Sequence, residues 1–386
     1  MYRIVALSLV LLLSFISCRN NNESSNDLIE YVDDFDYPFY NLKLSEIANI
    51  EFVQLKDPDK ALILNPYMPL NTYIGEDCIL IGDMSLSSPE SSRILMFDKN
   101  GNYIRTIAGY GRGPGEIYGM YRMMVQKESE KIYVFSIDGM SLSTFDFNGN
   151  CIKHDKITNR RFFISAVYGD KILLHGNQSQ YKTNTRYVDH GKSLVAIDSE
   201  TYDYFDIENP TYQRLFDINC MQSLYPDFIY SPNGIYLQTL RTDTVYLIRE
   251  DLKIIPRCVN KCSMEKGYDA ILPVIETEDY VLFARNNTVT AQIRDYSHYI
   301  FLKEESKLYR LPCSNISGAY IHEKLLQNEI AFSSINVSLN PNVLVVYWTH
   351  EVLNKYYDRL SEDLRKMADN ITEDDNPILM ILTFEK

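Results

Sequence analysis

Residues Gly111 to Asn150 read GRGPGEIYGMYRMMVQKESEKIYVFSIDGMSLSTFDFNGN. A glycine-rich opening leads into an apolar segment, a charged turn, a strand KIYVFSI, a turn at Asp138-Gly139, a strand LSTFDF and a turn at Asn148-Gly149. Asp-Gly and Asn-Gly tolerate the positive φ values of tight hairpins, so the string predicts consecutive antiparallel strands. Upstream, Phe97-Asp98-Lys99-Asn100-Gly101-Asn102 repeats Phe145-Asp146-Phe147-Asn148-Gly149-Asn150 at five of six positions, 48 residues earlier.

A period of about 40 to 50 residues with four short strands per period predicts the blades of a β-propeller. With its Gly-rich start, its "I-Y-V" strand and its ending "F-D-x-x-G", the unit resembles an NHL repeat. GRGPGE, the strand opening Asp243-Thr244-Val245-Tyr246 and the ending EDDNPILMILTFEK resemble more narrowly the NHL-like six-bladed β-propeller lipoproteins of Bacteroides-type Gram-negative gut anaerobes. The resemblance covers most of residues 45–386 and implies an all-β, six-bladed propeller of four-stranded antiparallel blades. It implies no particular chemistry.

A formal charge of −14 argues against nucleic acid as a partner, because binding to phosphate backbones needs clustered Lys and Arg. Thirty Tyr and seventeen Phe stand against a single Trp, which fits β-sheet content, or alternatively an aromatic ligand face.

Met1 to Ser17 carries Arg3, an apolar run from Ile4 to Ile16 and the small Ser17, and reads as a secretory signal too short to span a bilayer. Its end, Ser14-Phe15-Ile16-Ser17-Cys18, resembles a lipobox, which implies lipidation of Cys18 and membrane attachment without a transmembrane helix. Arg19 to Asp27 has no apolar residue, and residues 18–44 are assigned as a flexible tether, although the acidic, aromatic YVDDFDYPFY could lie on the propeller. An outer-membrane lipoprotein of the cell envelope is expected, monomeric, with a periplasmic or surface-exposed propeller over residues 45–386.

Residues Ile50 to Leu55 alternate as a strand. A propeller leaves no free sheet edge when an N-terminal strand completes its last blade, so this segment is expected to pair with Ile378 to Phe384. Third strands are assigned to residues 94–98, 142–146, 193–198, 244–248 and 307–311, and IAFSSI and NVLVVYW to the sixth blade. Between NVLVVYW and the last strand, Val352, Tyr356, Leu360, Leu364 and Met367 recur at helical spacing behind Thr349, predicting one amphipathic helix over about 350–369 that packs on the propeller.

Beyond Cys18, six cysteines (78, 151, 220, 258, 262, 313) and six histidines show no metal-site or catalytic spacing, and a Cys258–Cys262 disulfide is one option. GRGPGE lacks the Lys-Ser/Thr ending of a phosphate loop. The face carrying the crossovers between blades is where small ligands bind most propellers, and on it fall Arg112, Glu116, Arg122, Arg160, Arg161, Arg241 and Asp243. Guanidinium forks bind carboxylates and sugar acids; surface salt bridges are the competing reading. Asp243-Thr244-Val245 also resembles a short O-glycosylation acceptor. A non-enzymatic module binding an envelope protein, peptide or glycan is expected. The alternatives are a metal-dependent hydrolase or lyase, lactonase-like or amidating-lyase-like, with a central divalent cation, and a structural scaffold of an envelope complex.

Overall fold

The computed structural model describes residues 28–32, 37–42, 44–56, 71–83, 89–113, 115–136, 140–157, 164–175, 194–205, 207, 228–237, 244–261, 270–286, 298–311 and 338–384. Two N-terminal strands come first, β1 (Ile29–Tyr31) and β2 (Ala48–Gln54). Blade 1 is β3 (Thr72–Ile74), β4 (Cys78–Asp83), β5 (Arg93–Asp98) and β6 (Tyr103–Ala108). Blade 2 is β7 (Met120–Gln126), β8 (Lys131–Ser136), β9 (Ser141–Asp146) and β10 (Cys151–Lys156). Blade 3 follows as β11 (Ile164–Tyr168), β12 (Lys171–His175), β13 (Leu194–Asp198) and β14 (Tyr204–Phe205), and blade 4 as β15 (Phe228–Ser231), β16 (Gly234–Leu237), β17 (Thr244–Ile248) and β18 (Ile254–Asn260). Blade 5 is β19 (Ala270–Glu276), β20 (Tyr280–Asn286), β21 (His298–Leu302) and β22 (Lys307–Arg310); blade 6 is built on β23 (Val343–Trp348) and β24 (Ile378–Phe384). Within blades 1 to 5 neighbouring strands pair in chain order, and blade 6 runs β23–β24–β2. This is a six-bladed β-propeller. IAFSSI, expected in blade 6, lies outside the described residues.

The repeat seen in sequence is a repeat of turn chemistry. Asp98 accepts hydrogen bonds from the backbone N–H of Asn100 and Asn102 and from Asn102 Nδ2, and Asp146 does the same with Asn148 and Asn150. Each Asp ties down the hairpin between its blade's third and fourth strands, and the glycine inside each turn has positive φ, +80° at Gly101 and +89° at Gly149.

Apolar side chains from facing sheets fill the spaces between blades. Ile94, Met123, Ile132 and Phe145 join blades 1 and 2; Met124, Tyr133, Ile172 and Ile197 join 2 and 3; Ala166, Leu173, Ile235 and Ile248 join 3 and 4. One larger cluster runs through blades 4, 5 and 6. The ring closes between blades 6 and 1. There β2 pairs antiparallel with β24 from Ala48↔Phe384 to Gln54↔Ile378, and Val53, Leu55, Ile79, Phe97, Val345 and Ile381 pack together. The N–H of Lys56 then donates to Gly101 O at 2.7 Å, carrying the chain into contact with blade 1.

Three sequence expectations change. Residues 307–311 are not a third strand: β21 takes that place and β22 is the fourth strand, because the Lys303–Ser306 turn sits between two short apolar runs. Residues 28–32 and 37–42, assigned to the tether, lie instead on the propeller rim, since Ile29, Tyr31 and Leu42 are buried there. The single helix is two, α1 (His350–Lys355) and α2 (Glu362–Ala368), separated by a 3-10 turn at Tyr357–Arg359. Ser361 breaks the run by capping α2, accepting from the N–H of Leu364, as Thr349 caps α1. Leu353, Tyr356, Leu360 and Leu364 still face the core of blades 4 to 6. Of the options left open for the cysteines, Cys258 is a free, fully buried thiol on β18 and forms no disulfide, while Cys262 lies outside the described residues.

Candidate ligand-binding face

The crossover from blade 1 to blade 2, between β6 and β7, is a folded loop. The N–H of Ile117 donates to Gly109 O at 2.9 Å and that of Gly111 to Ile117 O at 3.1 Å, while the Ile117 side chain is sunk in the core between the two blades. Glu116 fastens the middle: its Oε2 accepts from the N–H of Gly113 at 2.7 Å, and its own N–H donates to Gly113 O. A Cβ on Gly111 would meet this carboxylate, so a side chain there would push the Glu116 brace aside. Glu116, read from sequence as a ligand contact, is therefore an organiser of its own loop.

What the loop holds up is aromatic and cationic. Tyr110 and Tyr118 are 40% and 46% exposed, with ring centroids 5.7 Å apart and planes tilted by 34°. The Arg112 guanidinium lies 4.3 Å from the Tyr118 ring centroid. This cation–π contact sets its position, and Arg112 makes no hydrogen bond or ion pair with any described residue, so its N–H donors face solvent. The site thus offers two ring faces and one planar cation on a fixed loop. Such a set can stack a sugar or aromatic ring and bind a carboxylate through two N–H groups.

Arg122 is elsewhere. It follows a bulge at the start of β7 and is only 7% exposed, inside the ring where the first strands of blades 2, 3 and 4 approach. Its charge acts on the Tyr230 hydroxyl, whose pKa burial raises and Arg122 pulls back down; that hydroxyl accepts from the N–H of Val167 at 3.0 Å. Arg112 and Arg122 therefore do not form one patch. Arg160, Arg161, Arg241 and Asp243 lie outside the described residues. Thr244, in the suggested glycosylation motif, is nearly buried at the start of β17.

Three groupings escaped the sequence reading. Beneath the crossover face, Asp83 at the end of β4 is buried and accepts from Arg93 Nε at 3.2 Å, while Asn71 Oδ1 and Ser92 Oγ accept from the N–H groups of Met123 and Met120. The first bond lies within blade 1, and the other two tie blade 1 to blade 2. On the opposite face, Glu276 at the end of β19 is buried among Arg257, Tyr236 and Lys303, with Lys303 Nζ 2.9 Å from its carboxylate. Burial works to raise its pKa, but the Arg257 charge and the three hydrogen bonds prevail and hold the carboxyl below its usual range. On the rim of blade 2, Ser143 Oγ and His154 Nδ1 are 2.8 Å apart. They are directly opposed cross-strand partners of β9 and β10, with Ser143 buried and its neighbouring N–H groups engaged in the ladder, so this is a sheet pair rather than a nucleophile and its base. Among the described residues no group of three His, Cys, Asp or Glu could hold a metal ion.

The chain belongs to the family described as a domain of unknown function, DUF4934, whose model matches residues 29–383. No curated protein matches it. Among solved structures it is similar to a Bacteroides fragilis protein described as exported, at 14% identity and TM-score 0.66, over 93% of this chain and all of that one. It is also similar to a DUF4221 family member from Bacteroides vulgatus, at 10% identity and TM-score 0.48, over 88% of this chain and 98% of that one. At 14% identity the likeness to the Bacteroides fragilis structure is one of fold alone.

Proposed function

We propose that this DUF4934 protein is an envelope binding module, exported and lipid-anchored through Cys18, that takes an acidic glycan on its crossover face without turning it over. The observation that carries the reading is the Tyr110–Arg112–Tyr118 platform: exposed rings and an uncommitted guanidinium, held by a loop that Glu116 has already organised. A rigid site loses little conformational freedom on binding, and stacked tyrosines beside an Arg match a ring that bears a carboxylate. The lipobox-like Ser14 to Cys18 sequence and the exported description of the Bacteroides fragilis structure support the envelope placement.

A glycan array carrying neutral and uronic-acid oligosaccharides tests it. The protein should retain acidic glycans, and Arg112→Ala and Tyr118→Ala should each lose that signal while keeping the wild-type melting temperature. Retention unchanged in both variants, or release of a cleaved product, would contradict the reading.

A further inference from the structure

We propose that the N-terminal segment fixes which way the propeller faces: it departs from the ring at the rim of blade 4, so a surface holding the N-terminus lies on that side and the Tyr110–Arg112–Tyr118 platform is turned away from it. The inference rests on the N-terminal attachment proposed above; its direction and position rest on described residues, and its reach on the number of residues ahead of them.

The segment is fastened at two places. β1 adds a fifth, parallel strand to blade 4, with Ile29↔Cys258 and Tyr31↔Asn260, and the N–H of Lys261 donates to Tyr31 O at 2.7 Å. Ile29 and Tyr31 are buried, and Glu30 pairs with Lys261 at 2.8 Å. Further on, Pro38 O accepts from the N–H of Arg310 and the N–H of Tyr40 donates to Arg310 O, both at 2.9 Å, on the outer strand of blade 5. Tyr37 packs edge-on against Tyr299, and the Tyr40 ring lies tilted against Tyr309. Only then does the chain enter blade 6 as β2. The first twenty-odd residues of the described chain therefore form a strap over three consecutive blades, and the chain upstream of it has a defined exit.

Direction follows from the pairing. β18 is a fourth strand and runs toward the crossover face, so the parallel β1 runs the same way, and the chain reaches Ile29 from the side of the opposite face. Position follows from blade order. The platform lies between blades 1 and 2, three and two blades from blade 4 around a ring of six, hence across the ring.

Length decides the outcome. Nine residues, Arg19 to Asp27, separate Cys18 from Leu28, and the ten steps between those two residues reach at most about 35 Å in any conformation. At about 4.8 Å per strand, a path from the rim of blade 4 over the ring to the blade 1–2 crossover is on the order of 30 to 40 Å. Turning the platform to the membrane would need the tether stretched to its limit along the outside of the ring.

Energy transfer to headgroup-labelled vesicles tests the proposal. A dye is placed by amber suppression at Tyr118 on the platform, or at Asp251, in the exposed turn at the lower end of blade 4. One arm uses the full-length chain recovered with membranes. The other uses the chain from Arg19 with Arg19 to Ser24 replaced by six histidines, on nickel-chelating vesicles, which holds the N-terminus to the membrane without lipid and without lengthening the chain ahead of Leu28. Because position 251 shares the side of the ring from which the chain reaches Ile29 and position 118 lies across the ring from it, transfer from 251 should exceed that from 118 by about twofold or more in both arms. Equal transfer, or greater transfer from 118, on the nickel vesicles would overturn the orientation. Failure of the full-length chain to float with membranes would overturn the lipid anchor alone, leaving the second arm to decide the orientation.

Discussion

Glu276 carries its charge into the interior between blades 4 and 5, and its partners show why it stays ionised: Arg257 and Tyr236 come from one blade, Lys303 from its own. Its folded pKa is depressed, so the stability it contributes is complete above the unfolded carboxylate value of about 4.3 and is lost as pH falls from there through the folded value. Glu276→Gln leaves Arg257 buried without a counter-charge and should cost about 3 to 5 kcal/mol at neutral pH. It should also flatten the acid limb of the melting-temperature profile; a variant that melts like the wild type, or keeps the full acid limb, would show that the cluster does not hold the blades. None of this was legible in sequence, because the four residues meet only after two blades have formed. Asp98 and Asp146 were legible, since each closes a turn with residues two and four positions away.

Elements were readable where their signals were local. Alternating strands and Asn-Gly turns placed blades 1 and 2 closely, with Asp138-Gly139 lying outside the described residues, whereas blade 5 differs by one strand because its third strand carries neither a closing Phe-Asp nor a glycine turn. The helical stripe gave the right buried face but hid the break at Leu360-Ser361, where a serine inside an apolar period acts as a cap rather than as an exposed position. Thr349→Ala and Ser361→Ala should each lower stability by about 1 kcal/mol in urea unfolding, nearly additively because they cap separate helices. No loss in either variant would mean that packing on the core of blades 4 to 6, rather than capping, sets these helix ends. The rim strap was legible only as one of two options for YVDDFDYPFY, for a further reason: a three-residue parallel strand has no period to detect, and its acidic surroundings resemble a tether.

At the scale of the molecule, the ring was legible from the 48-residue repeat and from the need to close a sheet edge, which β2 and β24 meet. The site was legible only in part. Residue type singled out Arg112, but sequence could not tell an arginine displayed on a tyrosine from one sunk in the ring, as Arg122 is, nor a binding carboxylate from a loop brace, as Glu116 is. Burial and partners make those distinctions, and both depend on the finished fold. The central claim is that the propeller displays a fixed aromatic and cationic platform for a carboxylate-bearing ring. Calorimetric titration of the intact protein with a uronic-acid oligosaccharide and with its carboxyl-reduced counterpart tests this most directly. A charge-assisted hydrogen bond to Arg112 predicts binding about tenfold or more weaker for the reduced sugar; equal affinity for the two, or no binding of either, would contradict the account.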